Sequence, residues 1–215
     1  MEKKLVTLVL ACAMVFAPTC SISGIASETE TGTEAKTEEI NLEEIKFRDI
    51  DWNTSLDGVL DALITDDMIE GIHYDIGDDN TLIITGLNVS NYSAYTYINF
   101  DDDLRKFDCA TYALTEEHTN LTDYYDDFCN LVELYTEKYG EPAEGGELWK
   151  DDYYKDKPEK WGMAIATGEL VATYRWIALD ESMVTIIISG DNYDISTCIF
   201  YESPDYESQD NMDGI

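Results

Sequence analysis

Basic residues are scarce in this sequence: 13 Lys and Arg stand against 46 Asp and Glu, and the formal net charge at pH 7 is −33. A field of this sign repels the phosphates of nucleic acids and the headgroups of anionic lipids. We therefore expect no nucleic-acid partner. The acidic excess is typical of a solvated surface, and the alternative interpretation is that it binds cations or a basic partner.

Histidine is limited to two residues, His73 and His118. The first falls on the polar side of a predicted strand and the second in the loop before a predicted helix, and neither has a GxSxG serine or a suitable cysteine nearby in sequence. The GxGxxG, GxxxxGKS/T and HExxH motifs are absent as well. The sequence therefore assigns no catalytic residue, no cofactor and no metal site.

The five cysteines form no CxxC pair. Only Cys109, Cys129 and Cys198 fall in the part expected to fold, so at most one pair can bridge there. We expect buried free thiols, which behave as small apolar residues. The alternative is a disulfide between Cys109 and Cys198, on two predicted strands.

A long apolar run occurs at the start of the chain, where residues 5–17 follow a positively charged opening and lead to a small-x-small cleavage pattern at Gly24-Ile25-Ala26. This pattern predicts a signal peptide over 1–26, and its apolar run is too short to span a bilayer. We expect a secreted or cell-surface tethered protein with no transmembrane segment after signal removal. The opening also resembles that of bacterial lipoproteins, so a lipid on Cys20 is the alternative anchor and would be the sole membrane contact.

The remaining chain divides by composition. Residues 27–44 are rich in Glu, Thr and Ser and predict a disordered acidic linker. A single domain is expected over 45–204, built as a pseudo-repeat of 45–117 and 118–204. An acidic tail over 205–215 follows.

The segment from Asn120 to Pro142 predicts a long α-helix, because its apolar residues recur at alternating steps of four and three. Asn120 can cap the first turn, Gly140 offers a left-handed cap and Pro142 prevents continuation. Such a helix needs a sheet to cover its apolar side. The predicted stripe comprises Leu121, Tyr125, Phe128, Val132, Tyr135 and Tyr139.

Short runs that alternate apolar and polar residues dominate both halves and predict strands. Because turns and not helices join these runs, we expect antiparallel pairing and the α+β class. The expected architecture is two helix-plus-antiparallel-strand halves, with the helices packed on one face of a curved antiparallel sheet. The expected elements are an opening strand over 45–52, a helix capped by Thr54, strands within 72–114, and strands over 161–165, 170–176, 184–188 and 195–199.

One loop departs from the acidic surroundings: residues 149–161 hold four lysines and four aromatic residues. Aromatic side chains on a loop are typical of recognition surfaces. We expect Trp149, Tyr153, Tyr154 and Trp161 to form, together with Trp52, a binding face for a protein or a glycan. The alternative is a long hairpin whose rings fold back onto the sheet edge.

Two short segments carry a resemblance to known proteins. Phe47 to Ser55 follows the pattern F-R-x-I-x-W-x-x-S, and Leu134 to Pro142 contains Lys138-Tyr139-Gly140 before its proline. Both are similar to segments of uncharacterised exported proteins of Gram-positive gut-type bacteria. The resemblance implies an extracellular or envelope-bound α+β domain and transfers no catalytic residue.

These observations lead to one expected function and two alternatives. We expect an exported, non-enzymatic binding module that recognises a protein or polysaccharide at the cell surface. One alternative is a small hydrolase that acts through paired carboxylates, which a chain so rich in acids keeps open. The other is an inhibitor of a secreted enzyme.

Overall fold

The computed structural model describes residues 42–64, 73–77 and 80–206. The predicted signal peptide, Cys20 and nearly all of the predicted linker and tail lie outside the described residues. Within the described part, the chain forms three α-helices and eight strands. The helices are α1 (Leu56–Ile64), α2 (Leu121–Tyr139) and α3 (Trp161–Ala166), and the strands are β1 (His73–Ile76), β2 (Thr81–Val89), β3 (Tyr92–Phe100), β4 (Phe107–Leu114), β5 (Glu144–Trp149), β6 (Leu170–Ile177), β7 (Met183–Asp191) and β8 (Asp194–Glu202).

The eight strands form one antiparallel sheet in the order β1-β2-β3-β4-β8-β7-β6-β5. Strands β1 to β4 are a meander, strands β5 to β8 are a second meander, and the two join where β4 pairs with β8. The protein is therefore a mixed α+β structure made mostly of sheet. Short turns between strands of alternating polarity favour this arrangement, because antiparallel neighbours need no crossover helix.

Helix α2 begins and ends where the sequence predicts. The side chain of Asn120 accepts a hydrogen bond from the backbone N–H of Thr122 at 3.3 Å, and the N–H of Gly140, at φ 85°, donates to the carbonyl of Thr136. Three members of the predicted stripe, Leu121, Tyr125 and Val132, are only partly buried, and Leu131, which was not predicted, is fully buried. The buried residues of α2 are Phe128, Leu131, Tyr135 and Tyr139.

Strand register defines the two faces of the sheet. Tyr201 of β8 pairs with Ala110 of β4 and with Val184 of β7, so these three side chains share a face. Helix α2 contacts that face, because the hydroxyl groups of Tyr135 and Tyr201 are 2.7 Å apart. That helix α1 lies on the same face stays a prediction.

The expected opening strand over 45–52 is wrong. Arg48 and Asp49 have positive φ values of 49° and 61°, and the N–H of Ile50 donates to the carbonyl of Phe47 at 2.9 Å. Two successive left-handed residues reverse the chain, as in a tight hairpin turn. The apolar residues of this segment are nevertheless buried in the core, and Phe47 is completely enclosed.

Two further local predictions need correction. Residues 161–165 belong to helix α3 and not to a strand. The prediction failed because a segment of six residues is too short for the spacing of its apolar residues to distinguish a helix from a strand. Helix α1 is capped by Ser55 and not by Thr54, since the hydroxyl of Ser55 accepts the N–H of Gly58 at 3.4 Å. Strand β5 was not predicted at all, because Gly145 and Gly146 weaken its pattern.

The alternative disulfide between Cys109 and Cys198 is also excluded by register. Cys109 lies opposite Glu202, four residues along β8 from Cys198. That offset places the two residues about 13 Å apart along the strands, beyond the reach of a disulfide. In the described part, Cys109 and Cys198 are buried and Cys129 is exposed.

Candidate functional site

Four of the predicted binding residues lie together between β5 and α3. Strand β5 ends at Trp149, two 3-10 turns follow over Asp152–Tyr154 and Pro158–Lys160, and α3 begins at Trp161. The first turn forms because Asp151 caps it, accepting the N–H of Tyr153 at 2.7 Å. We call Trp149, Tyr153, Tyr154 and Trp161 the aromatic corner.

The base of the aromatic corner is anchored in the protein. The rings of Trp149 and Trp161 meet edge to face at 5.5 Å, and the ring of Trp161 meets that of Tyr125 on α2 at 5.2 Å. The indole N–H of Trp161 donates to the carbonyl of Lys155 at 3.2 Å. Trp149, Tyr154 and Trp161 are half-buried and pack against the hydrophobic core.

Tyr153 is the exposed member of the aromatic corner. Its side chain is 62% exposed, and its ring lies 4.9 Å from that of Tyr154. The ammonium group of Lys157 lies 3.6 Å from the centre of the Tyr153 ring and donates to the Tyr153 carbonyl at 2.9 Å. The corner therefore presents an aromatic ring and a positive charge together, on a chain whose net charge is strongly negative.

Trp52 lies apart from the aromatic corner. It is 7% exposed, its indole N–H donates to the carbonyl of Ile45 at 3.1 Å, and its ring lies 5.0 Å from that of Phe107. Phe107 belongs to β4, which is four strands from β5 and thus about 19 Å away across the sheet. Trp52 is therefore buried and distant from the corner, and its part in a shared binding face stays a prediction.

A histidine and two acids meet at the start of α2. The Nε2 atom of His118 is 2.6 Å from a carboxylate oxygen of Asp127, whose other oxygen accepts the hydroxyl of Tyr92 at 3.2 Å. One oxygen of Glu116 is buried nearby and has no hydrogen-bond partner in the described part of the chain. The cavity that Glu116 and Asp127 share measures about 10 Å³. That volume is no more than one water molecule requires, so it leaves no room for a substrate.

Among the described residues there is neither a cluster of metal-binding side chains nor a helix that could span a membrane. No group of three or more His, Cys, Asp or Glu side chains is placed there to hold a metal ion. None of the described helices has the length and apolar character needed to cross a bilayer.

No protein-family model, no curated protein and no solved structure matches the chain. The resemblance carried by residues 47–55 and 134–142 therefore stays a prediction. What the structure itself defines is the class: an α+β protein built on an eight-stranded antiparallel sheet with an aromatic corner beside α3.

Proposed function

We propose that this protein is an exported, non-enzymatic binding module that recognises a protein or a polysaccharide at the cell surface through the aromatic corner. The observation that carries the proposal is the position of Tyr153, exposed on a base of half-buried rings and in contact with Lys157. Tyr and Trp supply large contact area with few rotatable bonds, and they dominate the energetics of many interfaces.

The anchoring of the corner supports a binding role over a purely structural one. A ring held by its neighbours loses little conformational entropy when a partner binds, so more of the contact energy is available as affinity. The packing of Tyr153 on Tyr154, together with the cap at Asp151, restrains the exposed ring before any partner arrives. A core role would instead bury Tyr153.

The finer arrangement of the helices is part of the same proposal. We infer that α1 covers the sheet face contacted by α2. Two contacts support this: the ring of Phe47, in the segment leading to α1, lies 5.2 Å from Tyr112 and 5.6 Å from Tyr201. Register places both of those tyrosines on the face that α2 contacts.

A direct test measures binding of the purified protein to intact cells of the producing bacterium. We expect Tyr153→Ala to reduce binding at least tenfold, and Tyr153→Phe to retain most of it because the ring is kept. The matched control is Tyr74→Ala, which removes a tyrosine of similar exposure from β1, at the opposite edge of the sheet. Equal binding by the Tyr153→Ala variant and the unmodified protein would overturn the proposal.

Treatment of the cells distinguishes the two partner classes. Protease removes protein partners, whereas periodate oxidises the vicinal diols of polysaccharides. Loss of binding after protease alone identifies a protein, and loss after periodate alone identifies a glycan. If the partner is a secreted enzyme, the inhibitor alternative predicts a 1:1 complex on size-exclusion chromatography and loss of that enzyme's activity.

A further inference from the structure

A cavity of about 330 Å³ lies beside Trp52, far from the aromatic corner. Its walls come from four segments that are distant in sequence: residues 44–53, residues 106–108 at the start of β4, Asp180 between β6 and β7, and the residues that follow β8. Its volume lies at the small end of ligand pockets, which begin at about 300 Å³. The cavity therefore suits one side chain or a small organic group.

Carboxylates outnumber ammonium groups around this cavity. Five acidic side chains line it and one lysine, Lys106, faces them. A second lysine, Lys46, forms ion pairs with two of the five acids, at 3.0 Å from Glu44 and also with Asp51. The lining is therefore negative even with both lysines counted. The five acids are Glu44, Asp51, Asp108, Asp180 and Asp205.

One residue of the cavity wall has a buried hydroxyl with no hydrogen-bond partner among the described residues. Ser203 lines the cavity and is only 5% exposed, and its Oγ atom has no hydrogen-bond partner in the described part of the chain. Burying a hydroxyl without a hydrogen bond is unfavourable, so such groups are few in proteins. The backbone of Ser203 is held in place, because its N–H donates to the carbonyl of Asp108 at 2.8 Å.

The neighbouring Asp108 owes its position to a β-bulge. Asn99 pairs with Cys109 and Phe100 pairs with Phe107, so Asp108 is an extra residue on β4 with no partner on β3. Bulges redirect side chains in this way and are frequent at functional sites. Partial burial raises the pKa of Asp108, a cost that a bound cation would offset.

We propose that this cavity binds an alkylammonium or guanidinium group, the end of a Lys or Arg side chain of a partner protein. Asp108 and Ser203 would accept its hydrogen bonds, and the ring of Trp52 would supply a cation–π wall. The carboxylates in the described residues are too dispersed to coordinate a metal ion, yet dispersed acceptors suit an organic cation with several donor atoms. This site is separate from the aromatic corner and does not depend on its function.

The test titrates the isotope-labelled full chain with capped arginine and capped lysine and follows the indole N–H of Trp52 and the amide of Ser203 by NMR. We expect saturable shifts of both signals, and none with capped norleucine, which has a similar chain without the charge. Asp108→Asn should weaken binding at least tenfold, and Ser203→Ala about three- to tenfold. Binding should also weaken as ionic strength rises.

Matched variants keep the result interpretable. Glu133→Gln removes an acid from the exposed side of α2 and should leave binding unchanged. Asp205→Asn changes an exposed residue of the cavity rim and should weaken binding even if Asp108→Asn fails to fold. Equal shifts with norleucine, no saturable shift, or a response to calcium chloride at lower concentration than to capped arginine would each overturn the proposal. Tighter binding of spermidine than of either capped amino acid would overturn the assignment to a protein side chain.

Discussion

The hydroxyl groups of Tyr135 and Tyr201 form a hydrogen bond of 2.7 Å that joins α2 to β8 across 66 residues of sequence. Both side chains are buried, and their burial raises the pKa of each phenol. The bond lies among further aromatic rings, with Trp176 at 5.8 Å and Tyr139 at 5.7 Å from Tyr135. It is a polar contact within a cluster of aromatic rings between helix and sheet.

A double-mutant cycle on this pair measures the bond. Either Tyr135→Phe or Tyr201→Phe leaves one buried hydroxyl without its partner, so each single variant should lose about 1–3 kcal/mol in the free energy of unfolding. The double variant should lose less than the sum, because no hydroxyl is left unpaired. Chemical denaturation of the four proteins provides the values. Additive losses would show that the two hydroxyls do not interact.

Gly162 allows α3 to approach α2 closely. A Cβ atom at this position would lie 2.6 Å from the backbone N of Thr122 and closer still to the carbonyl of Leu121. We expect Gly162→Ala to destabilise the protein by about 1–3 kcal/mol, although alanine favours helix formation, because backbone atoms must move. Thermal unfolding measures the loss. Met163→Ala, on the exposed side of the same helix, is the control and should change the melting temperature little.

Glu202 should reduce stability at neutral pH. Burial raises its pKa, and Arg175 offsets only part of that effect. Because the pKa is higher in the folded than in the unfolded chain, the contribution of Glu202 is most favourable below the unfolded pKa and is lost as the pH rises through the folded pKa. Glu202→Gln should therefore raise the melting temperature at pH 7.

The gain from Glu202→Gln should disappear below about pH 4, where the carboxyl is protonated in both states. Arg175 keeps its contacts in the variant, since it also donates to Thr185 at 3.0 Å and pairs with Glu144 at 3.6 Å. Exposed Glu133→Gln serves as the comparison at each pH. An equal gain at pH 7 and at low pH would rule out ionisation of Glu202 as the cause.

The cysteines of the described part should differ in reactivity. Burial raises the pKa of Cys109 to about 12, and Cys198 is buried as well. Cys129 is exposed on α2, although partial burial of its thiol also raises its pKa. Because the thiolate is the reactive form, Cys129 should react with a thiol reagent in the native protein. The Cys129→Ser variant should lose this phase, and Cys109→Ser should retain it. Rapid labelling of Cys109 without denaturant would contradict its burial.

Helix α2 and the antiparallel strands could be predicted from the sequence because their signals are local. Asn120 and Gly140 make hydrogen bonds to backbone groups only a few residues away. Alternation of polar and apolar residues along a strand likewise indicates which side chains lie on each of its two faces. The conformation of segment 45–52 could not be predicted from the sequence, because contacts with distant parts of the chain bury its residues. Trp52 shows this, since its ring packs on Phe107 of β4.

The candidate sites divide in the same way. The aromatic corner could be anticipated because Trp149 and Trp161 are near in sequence. Which of its rings would be buried, and that Tyr153 would be exposed, could not be predicted. The cavity beside Trp52 was missed entirely. The bulge at Asp108 and the Ser203 hydroxyl, which has no partner among the described residues, arise where separate segments meet, and no short-range sequence pattern predicts such a contact.

The sequence by itself determined the acidic field, the absence of common catalytic motifs, the limits of α2 and the antiparallel character of the strands, because composition and short-range periodicity are properties of local residues. The tertiary structure alone decided that β4 pairs with β8, which cysteines are buried, and that Trp52 borders an acidic cavity and not the aromatic corner. These outcomes depend on packing between residues that are far apart along the chain, where many combinations are compatible with the same local pattern.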